Sequence, residues 1–131
     1  MSRATYLDSS AIVKLIVAEP ESGALRHYLR RRKPYVTSAL ARTEVARALL
    51  PFGPAGLQRA EHTLTRIDLV RVGDVLLRVA GQLLPDDLRT VDAIHLATAQ
   101  RLGADLARLV TYDNRMATAA QGLGIEVVAP A

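Results

Sequence analysis

The fold of this chain is decided by one stretch, residues 89–100, which reads Arg-Thr-Val-Asp-Ala-Ile-His-Leu-Ala-Thr-Ala-Gln. Nearly every residue after Thr90 is apolar or small, Thr90 itself can cap a helix through its hydroxyl, and Gly103 is a natural helix stop. The stretch therefore predicts a helix that is buried on nearly all sides. Asp92 falls in the first turn of this helix, where unpaired N–H groups favour negative charge. Read alone, Asp92 is best explained as a capping acid.

Strands and helices alternate on both sides of this stretch. Short apolar strands are predicted over residues 4–7, 35–37, 69–72, 107–111 and 125–128, and further helices over 11–18, 21–32, 38–50, 54–66, 74–84 and 114–121. This order predicts an α/β fold, a single domain over residues 1–131 with a central parallel sheet of about five short strands and helices on both faces. A chain of 131 residues can bury such a core without disulfides, and it contains no cysteine.

The sequence also predicts how some of these helices begin and pack. Ser9 and Ser10 are expected to cap the helix over 11–18, and Ser38 the helix that follows the second strand. The helix over 74–84 carries an apolar stripe that is expected to pack in the core, namely Val75, Leu76, Val79, Ala80, Leu83 and Leu84. The apolar faces over 13–17 and 25–29 fit core packing and a groove for a partner helix equally well.

The charge of the chain indicates an anionic partner. Its formal net charge is +4, and only Lys14 and Lys33 among its 17 basic residues are not arginine, the side chain best suited to bidentate phosphate contacts. A GC-rich genome that favours arginine codons explains the same bias equally well. The arginines at the end of the second helix, Arg30, Arg31 and Arg32, either compensate the helix dipole or contact RNA. No leader or membrane-spanning segment is expected, which predicts a cytoplasmic protein.

Four acidic residues are predicted to lie close together. Asp8 and Asp113 each follow a strand, and ligands of parallel sheets bind at the carboxyl ends of the strands. Glu44 shares one row of its helix with apolar residues, although an exposed ion pair with Arg47 would also explain it. Together with Asp92, these side chains are expected to converge on one crevice.

Such a cluster requires a positive charge. Two carboxylates about 4 Å apart repel each other by about 4 kcal/mol at an effective dielectric constant of 20. A hard cation with oxygen ligands, Mg²⁺ or Mn²⁺, would offset this repulsion, activate a water molecule and neutralise charge on a phosphodiester. The pattern therefore indicates metal-assisted phosphodiester hydrolysis. The competing explanation is that an intramolecular arginine, such as Arg115, neutralises the acids.

Three further residues have possible supporting roles. Ser9 could bind a ligand water or a phosphate, although helix capping is the more common role of such a serine. Thr111 could orient a carboxylate, or it could simply be a β-branched strand residue. His95 lies three residues after Asp92 on the same helix face, so a role in the site is conceivable, but a hydrogen-bonded core histidine is favoured.

The acids lie in four short segments, which read Tyr-Leu-Asp-Ser-Ser-Ala at 6–11, Arg-Thr-Glu-Val at 42–45, Thr-Val-Asp-Ala-Ile-His at 90–95 and Val-Thr-Tyr-Asp at 110–113. In this order and at these separations they resemble the four acidic motifs of PIN-domain ribonucleases, specifically the VapC-type toxins of bacterial toxin–antitoxin modules. The resemblance covers the whole chain. It implies an endoribonuclease and a homodimer that a small antitoxin neutralises by obstructing the site. It also implies that the catalytic residues hold Mg²⁺ or Mn²⁺, the candidates being Asp8, Glu44, Asp92 and Asp113.

The chain departs from this pattern at one place. Many members of the family carry a further acid soon after the position of Asp113, whereas this chain has Asn114, Arg115 and Met116. Asn114 could supply a neutral oxygen ligand, Arg115 could contact RNA, and one bound ion is the expectation. The missing acid also favours an alternative, a catalytically silent PIN-like module that binds RNA or a protein. A phosphotransfer protein is less well supported, because Ser10 stands where an aspartyl phosphatase would have a second acid.

Overall fold

A five-stranded parallel sheet forms the centre of the part of the chain that the computed structural model describes, residues 3–131. The strands are β1 (Ala4–Leu7), β2 (Tyr35–Ser38), β3 (Asp68–Val70), β4 (Leu106–Val110) and β5 (Val127–Val128). Their order across the sheet is β3-β2-β1-β4-β5, and every neighbouring pair is parallel. The predicted α/β class and the number of strands are confirmed. Residues 1 and 2 of the predicted domain lie outside the described residues.

Within residues 3–131, seven α-helices connect and cover these strands. They are α1 (Ser9–Ile16), α2 (Ser22–Leu29), α3 (Ala41–Leu49), α4 (Gly53–Leu64), α5 (Asp74–Ala80), α6 (Thr90–Arg101) and α7 (Asn114–Gly122). Short 3₁₀ turns follow α3 and α6, at Leu50–Phe52 and Gly103–Asp105. Among residues 3–131, none of the helices combines the length and the apolar character that crossing a membrane requires.

The two faces of the sheet carry separate cores. Successive strand residues point to opposite faces, so Leu7 packs with the helices α1 to α4 while its neighbour Tyr6 packs with α6 and α7. Leu109 and Val110 of β4 divide in the same way. Because both faces are covered, the central strands are apolar along most of their length, as is typical of parallel sheets.

Helix α6 is the buried helix that residues 89–100 predict. Eight consecutive residues, Asp92 to Ala99, are buried. Leu96 and Ala99 face the sheet, whereas Ala93, Ile94 and Ala97 face α5 on the opposite side. A helix packed between two layers has apolar residues all round, which explains its lack of a polar face.

The predicted helix caps were wrong in three places. Asp8 caps α1 by accepting a hydrogen bond from the backbone N–H of Ala11, so α1 begins at Ser9 and the serines stand inside it. Thr90 is the first residue of α6, and the cap position belongs to Arg89, whose side chain makes no capping bond. Ser38 ends β2, and α3 begins only at Ala41.

The apolar stripe of the helix over 74–84 is also not the core stripe that was expected. Helix α5 ends at Ala80, and of the six stripe residues Leu76 and Ala80 are buried, Leu83 is half-buried and three are exposed. The side chains of Val75 and Leu84 are 63% and 73% exposed, and Val79 is exposed as well. The helix is shorter than its pattern suggested, and the side of it that carries Val75 and Val79 faces outward.

Candidate active site

The carboxyl ends of β1 and β4 bring two of the predicted acids together. These strands pair directly, with Leu7 opposite Val110, so Asp8 leaves the sheet beside Thr111. The backbone N–H of Asp8 continues the ladder by donating to the carbonyl of Val110 (3.2 Å). Asp113 follows two residues later, where it opens α7.

Asp8 is held by three hydrogen bonds within the protein. Its Oδ1 accepts from Oγ of Ser10 (2.7 Å) and from the backbone N–H of Ala11 (3.0 Å), and its Oδ2 accepts from Oγ1 of Thr111 (2.5 Å). Burial raises the pKa of the Asp8 carboxyl above its ordinary value, although the three hydrogen bonds oppose this shift. Asp8 is therefore a helix cap and a buried acid at the same time.

Thr111 connects Asp8 with the start of the Asp113 turn. While its hydroxyl donates to Asp8, the same oxygen accepts from the backbone N–H of Asp113 (3.1 Å). The contact with a carboxylate that the sequence suggested for Thr111 is present, and Thr111 is buried.

Glu44 does not pair with Arg47. Its Oε1 lies 2.6 Å from Nε2 of His95 and accepts from Oγ of Ser9 (2.7 Å). Burial alone would raise the pKa of Glu44, but the hydrogen bonds from His95 and Ser9 outweigh it and lower this pKa. Ser9 thus contacts one of the candidate acids and does not cap a helix.

His95 is both the core histidine that was favoured and a contact of the acidic site. Its ring is buried, Nδ1 lies 2.7 Å from the hydroxyl of Tyr6, and Nε2 faces Glu44. Because the Glu44 carboxylate can only accept, Nε2 carries the proton, and in neutral His95 the Nδ1 atom then accepts from Tyr6. The Tyr6 oxygen also accepts from the backbone N–H of Ser38 (3.1 Å), and burial raises the pKa of Tyr6, which keeps its donor proton in place.

Asp92 and Asp113 share one arginine. Arg89 donates from Nε to Oδ2 of Asp92 (3.2 Å) and from a terminal nitrogen to Oδ2 of Asp113 (2.8 Å). The intramolecular partner is therefore Arg89 and not Arg115, which is exposed on α7. The sequence contained a signal for this pair, since Arg89 and Asp92 are three residues apart at a helix start. Burial raises the pKa of Asp92 even though the bond from Arg89 opposes it.

Asp113 uses its two oxygens differently. Oδ1 caps α7 by accepting from the backbone N–H groups of Arg115 (2.9 Å) and Met116 (3.1 Å), and Oδ2 binds Arg89. Asn114 is the exposed first residue of α7, and within residues 3–131 its side-chain amide makes no hydrogen bond to the acids.

The arginines at 30–32 lie at the amino ends of the strands, opposite the acids. They follow α2 and precede β2, and the carbonyl of Arg32 accepts from the hydroxyl of Thr5, near the start of β1 (2.8 Å). The Arg32 guanidinium lies over the ring of Tyr28, 3.8 Å from its centre. The acids lie at the carboxyl ends of the strands, so the length of the sheet separates this cluster from them. Its position does not favour contact with RNA bound at the acids.

The donor atoms of the site suit a hard divalent cation, but they are not arranged around one. Within residues 3–131, no group of three or more Asp, Glu, His or Cys side chains is arranged to hold a metal ion. Instead, Arg89 joins Asp92 and Asp113, His95 binds Glu44, and neutral donors hold Asp8. Carboxylate oxygens are the ligands that Mg²⁺ and Mn²⁺ prefer, and Arg89 shows that a cation is already drawn between two of them.

The sheet order and the acids at the carboxyl ends of its strands define a small α/β protein with an acidic site, and its family follows from comparison with known proteins. The PIN domain model matches residues 5–122, and the chain therefore belongs to the PIN-domain family. It is 62% identical to Ribonuclease VapC46 of Mycobacterium tuberculosis over 127 residues, which cover 97% of this chain and 98% of that protein. This likeness lies within the VapC branch of the family and confirms the resemblance that the four motifs carry.

Solved structures show the same fold. The crystal structure of VapC20 from Mycobacterium tuberculosis, described as a toxin that cleaves the sarcin–ricin loop, superposes with a TM-score of 0.75 at 19% identity, covering 96% of this chain and 99% of that one. A toxin–antitoxin complex from Klebsiella pneumoniae superposes with a TM-score of 0.74 at 22% identity, covering 97% and 98%. At these identities the likeness establishes the fold.

Proposed function

We propose that this protein is a metal-dependent endoribonuclease that acts as the toxin of a toxin–antitoxin pair. The observation that carries the proposal is the position of Asp8, Glu44, Asp92 and Asp113 at one edge of a PIN-domain sheet, in a chain that is 62% identical to a protein named as a ribonuclease. The proposed substrate is an RNA phosphodiester, and the proposed place of action is the cytoplasm.

The four acids would hold one Mg²⁺ or Mn²⁺ ion. When bound, such an ion supplies a more acidic ligand water and neutralises charge on the phosphodiester. Ser10, Thr111 and the Ala11 N–H fix the carboxylate of Asp8. Ser9 and His95 both bind Oε1 of Glu44, and within residues 3–131 its Oε2 accepts no hydrogen bond from the protein. This arrangement supports Oε2 as the atom that Glu44 offers to a ligand.

The cleavage assay is direct. Purified protein is incubated with total RNA and Mn²⁺, with and without EDTA, and the cut ends are mapped. We expect cleavage that EDTA abolishes and that Asp8→Asn and Asp92→Asn both remove. Asp87→Asn is the matched control, because it removes the same charge from an exposed turn and should cut normally. Unchanged cleavage in both site variants would reject the catalytic assignment.

We also propose an antitoxin partner and a homodimer. The Klebsiella pneumoniae structure described above is a toxin–antitoxin complex, which supports the first of these. The exposed apolar side chains of α5 and the turn after it, Val75, Leu77, Val79 and Leu84, support a surface that a second protein chain covers. We further treat residues 1–131 as a single domain.

A catalytically silent binding module is the second candidate. Arg89 neutralises two of the four acids, and residues 114–116 contain no acid, whereas many family members carry one soon after the position of Asp113. If this candidate is correct, the protein binds RNA or a partner without cutting, and the Mn²⁺ assay yields intact RNA at every enzyme concentration.

A further inference from the structure

Arg89 bridges two of the four acids, but its side chain is not buried in the fold. Its guanidinium binds Asp92 and Asp113, yet its side chain is 61% exposed. It stands at the cap position of α6, where its side chain makes no capping bond. Arg89 is the exposed partner of both ion pairs, so water screens its guanidinium and its long side chain is free to leave.

The oxygen that Arg89 holds on Asp113 is the one that a metal ion would need. Oδ1 of Asp113 accepts two backbone N–H groups that begin α7, so using it as a ligand would uncap that helix. Oδ2 is the remaining oxygen, and Arg89 is bound to it at 2.8 Å. The donors on Asp8, by contrast, are neutral and compatible with a bound cation.

We propose that Arg89 is the counter-cation of the acidic site when no metal is bound, that a divalent ion displaces it from Asp92 and Asp113, and that the released guanidinium then binds a phosphate of the RNA. The inference rests on the proposed function. Arginine suits both positions, because its planar fork matches carboxylate and phosphate oxygens alike. Its exposure at the rim of the site leaves it able to move between them.

The alternative is that Arg89 is a fixed brace that orients Asp92 and Asp113 for the ion. The two roles predict opposite effects of removing the charge. A brace helps the ion to bind, so its loss weakens binding. A counter-cation competes with the ion, so its loss strengthens binding.

Calorimetric titration of metal-free protein with Mn²⁺ separates these roles. Arg89→Gln is compared with wild type and with Arg101→Gln, which removes the same charge from an exposed position about 18 Å away along α6. We expect Arg89→Gln to bind Mn²⁺ about 3- to 10-fold more tightly than wild type and Arg101→Gln to match wild type. In the presence of a chelator, Arg89→Gln should melt at a lower temperature than wild type. Added Mn²⁺ should raise the melting temperature of Arg89→Gln by more than it raises that of wild type.

The RNA side of the inference is read from steady-state kinetics at saturating Mn²⁺. Arg89→Gln should raise the KM for RNA by a factor at least several times larger than the factor by which it lowers kcat. Arg89→Lys should recover part of this loss, since lysine keeps the charge but lacks the planar guanidinium.

The outcomes distinguish this inference from the proposed function. If wild type binds Mn²⁺ and cuts RNA but Arg89→Gln binds Mn²⁺ equally or more weakly, Arg89 is a brace and the inference is wrong while the function stands. An unchanged KM in Arg89→Gln would reject the phosphate contact alone. If neither protein binds Mn²⁺, the metal-dependent function and the inference fail together.

Discussion

Nε2 of the buried His95 lies 2.6 Å from Oε1 of the half-buried Glu44, and this contact joins α6 to α3 at the acidic edge of the sheet. On the opposite side of the His95 ring, the hydroxyl of Tyr6 lies 2.7 Å from Nδ1 and orients the ring. A site carboxylate is thus positioned by a histidine whose ring is held in place by a residue of the central strand. Groups that orient a ligand through a second residue commonly change metal affinity or activity when they are removed.

Tyr6→Phe should weaken the site through the contacts that run from Tyr6 through His95 to Glu44, which we call the relay. The substitution removes the donor to Nδ1 and the acceptor for the Ser38 N–H, leaving two buried polar groups without partners. We expect kcat/KM for RNA to fall about 10- to 100-fold and the free energy of unfolding to fall by about 1–3 kcal/mol.

Tyr28→Phe is the control for Tyr6→Phe, because Tyr28 lies near the end of α2, at the amino ends of the strands and away from the acids. Urea unfolding and RNA cleavage are measured on both variants. A loss of activity in Tyr28→Phe equal to that in Tyr6→Phe, or full activity in Tyr6→Phe, would contradict the relay.

Thr111→Val should destabilise the turn that carries Asp113. Valine has a similar shape but cannot donate to Asp8 or accept from the Asp113 N–H, and both groups are then left short of a partner. We expect a loss of about 1–3 kcal/mol in the free energy of unfolding, with most of it recovered in Thr111→Ser. Denaturant titration of the three proteins gives the answer, and equal stabilities for the valine and serine variants would mean that the hydroxyl is unimportant.

Asp8→Asn should change how stability depends on pH. Burial raises the pKa of Asp8 above the ordinary value of 3.8, so the folded chain binds this proton more tightly than the unfolded chain. Wild type therefore loses stability from this group as the pH rises above the ordinary carboxyl range, whereas asparagine does not titrate. In metal-free buffer, the melting temperature of Asp8→Asn relative to wild type should increase from about pH 4 towards pH 7.

The control for this pH experiment is Asp87→Asn, an exposed turn acid, whose melting temperature should run parallel to that of wild type. A relative melting temperature of Asp8→Asn that is flat or falling with pH would show that the hydrogen bonds from Ser10, Ala11 and Thr111 outweigh burial.

The exposed face of α5 should matter for the proposed homodimer. Val75 and Val79 are four residues apart on this helix and both are exposed. We expect wild type to have the mass of a dimer by light scattering and Val75→Glu/Val79→Glu to have that of a monomer, because two buried charges would oppose association. Leu50→Glu, at a similarly exposed apolar residue after α3, is the control. A monomeric wild type, or a double variant that stays dimeric, would reject this surface.

Much of the fold could be predicted from local pattern. The alternation of strands and helices, the buried helix over 89–100 and the placement of Asp8 and Asp113 after strands all depend on neighbours in the sequence. The predicted caps failed because Asp8, Ser9 and Ser10 are all competent capping residues, and only the turn from β1 into α1 selects among them. The stripe of α5 failed because periodicity identifies an apolar face but not what covers it.

The sequence by itself determined the parallel α/β sheet, its buried helix and the set of four acids, since these follow from hydrophobic period, chain order and residue type. Only the tertiary structure decided how the acids are paired. Arg89 reaches Asp113 across 24 positions of the chain and His95 reaches Glu44 across 51, and such contacts are fixed by how α6 packs between α5 and the sheet. Electrostatic partners depend on distances in space, and local sequence pattern does not contain those distances.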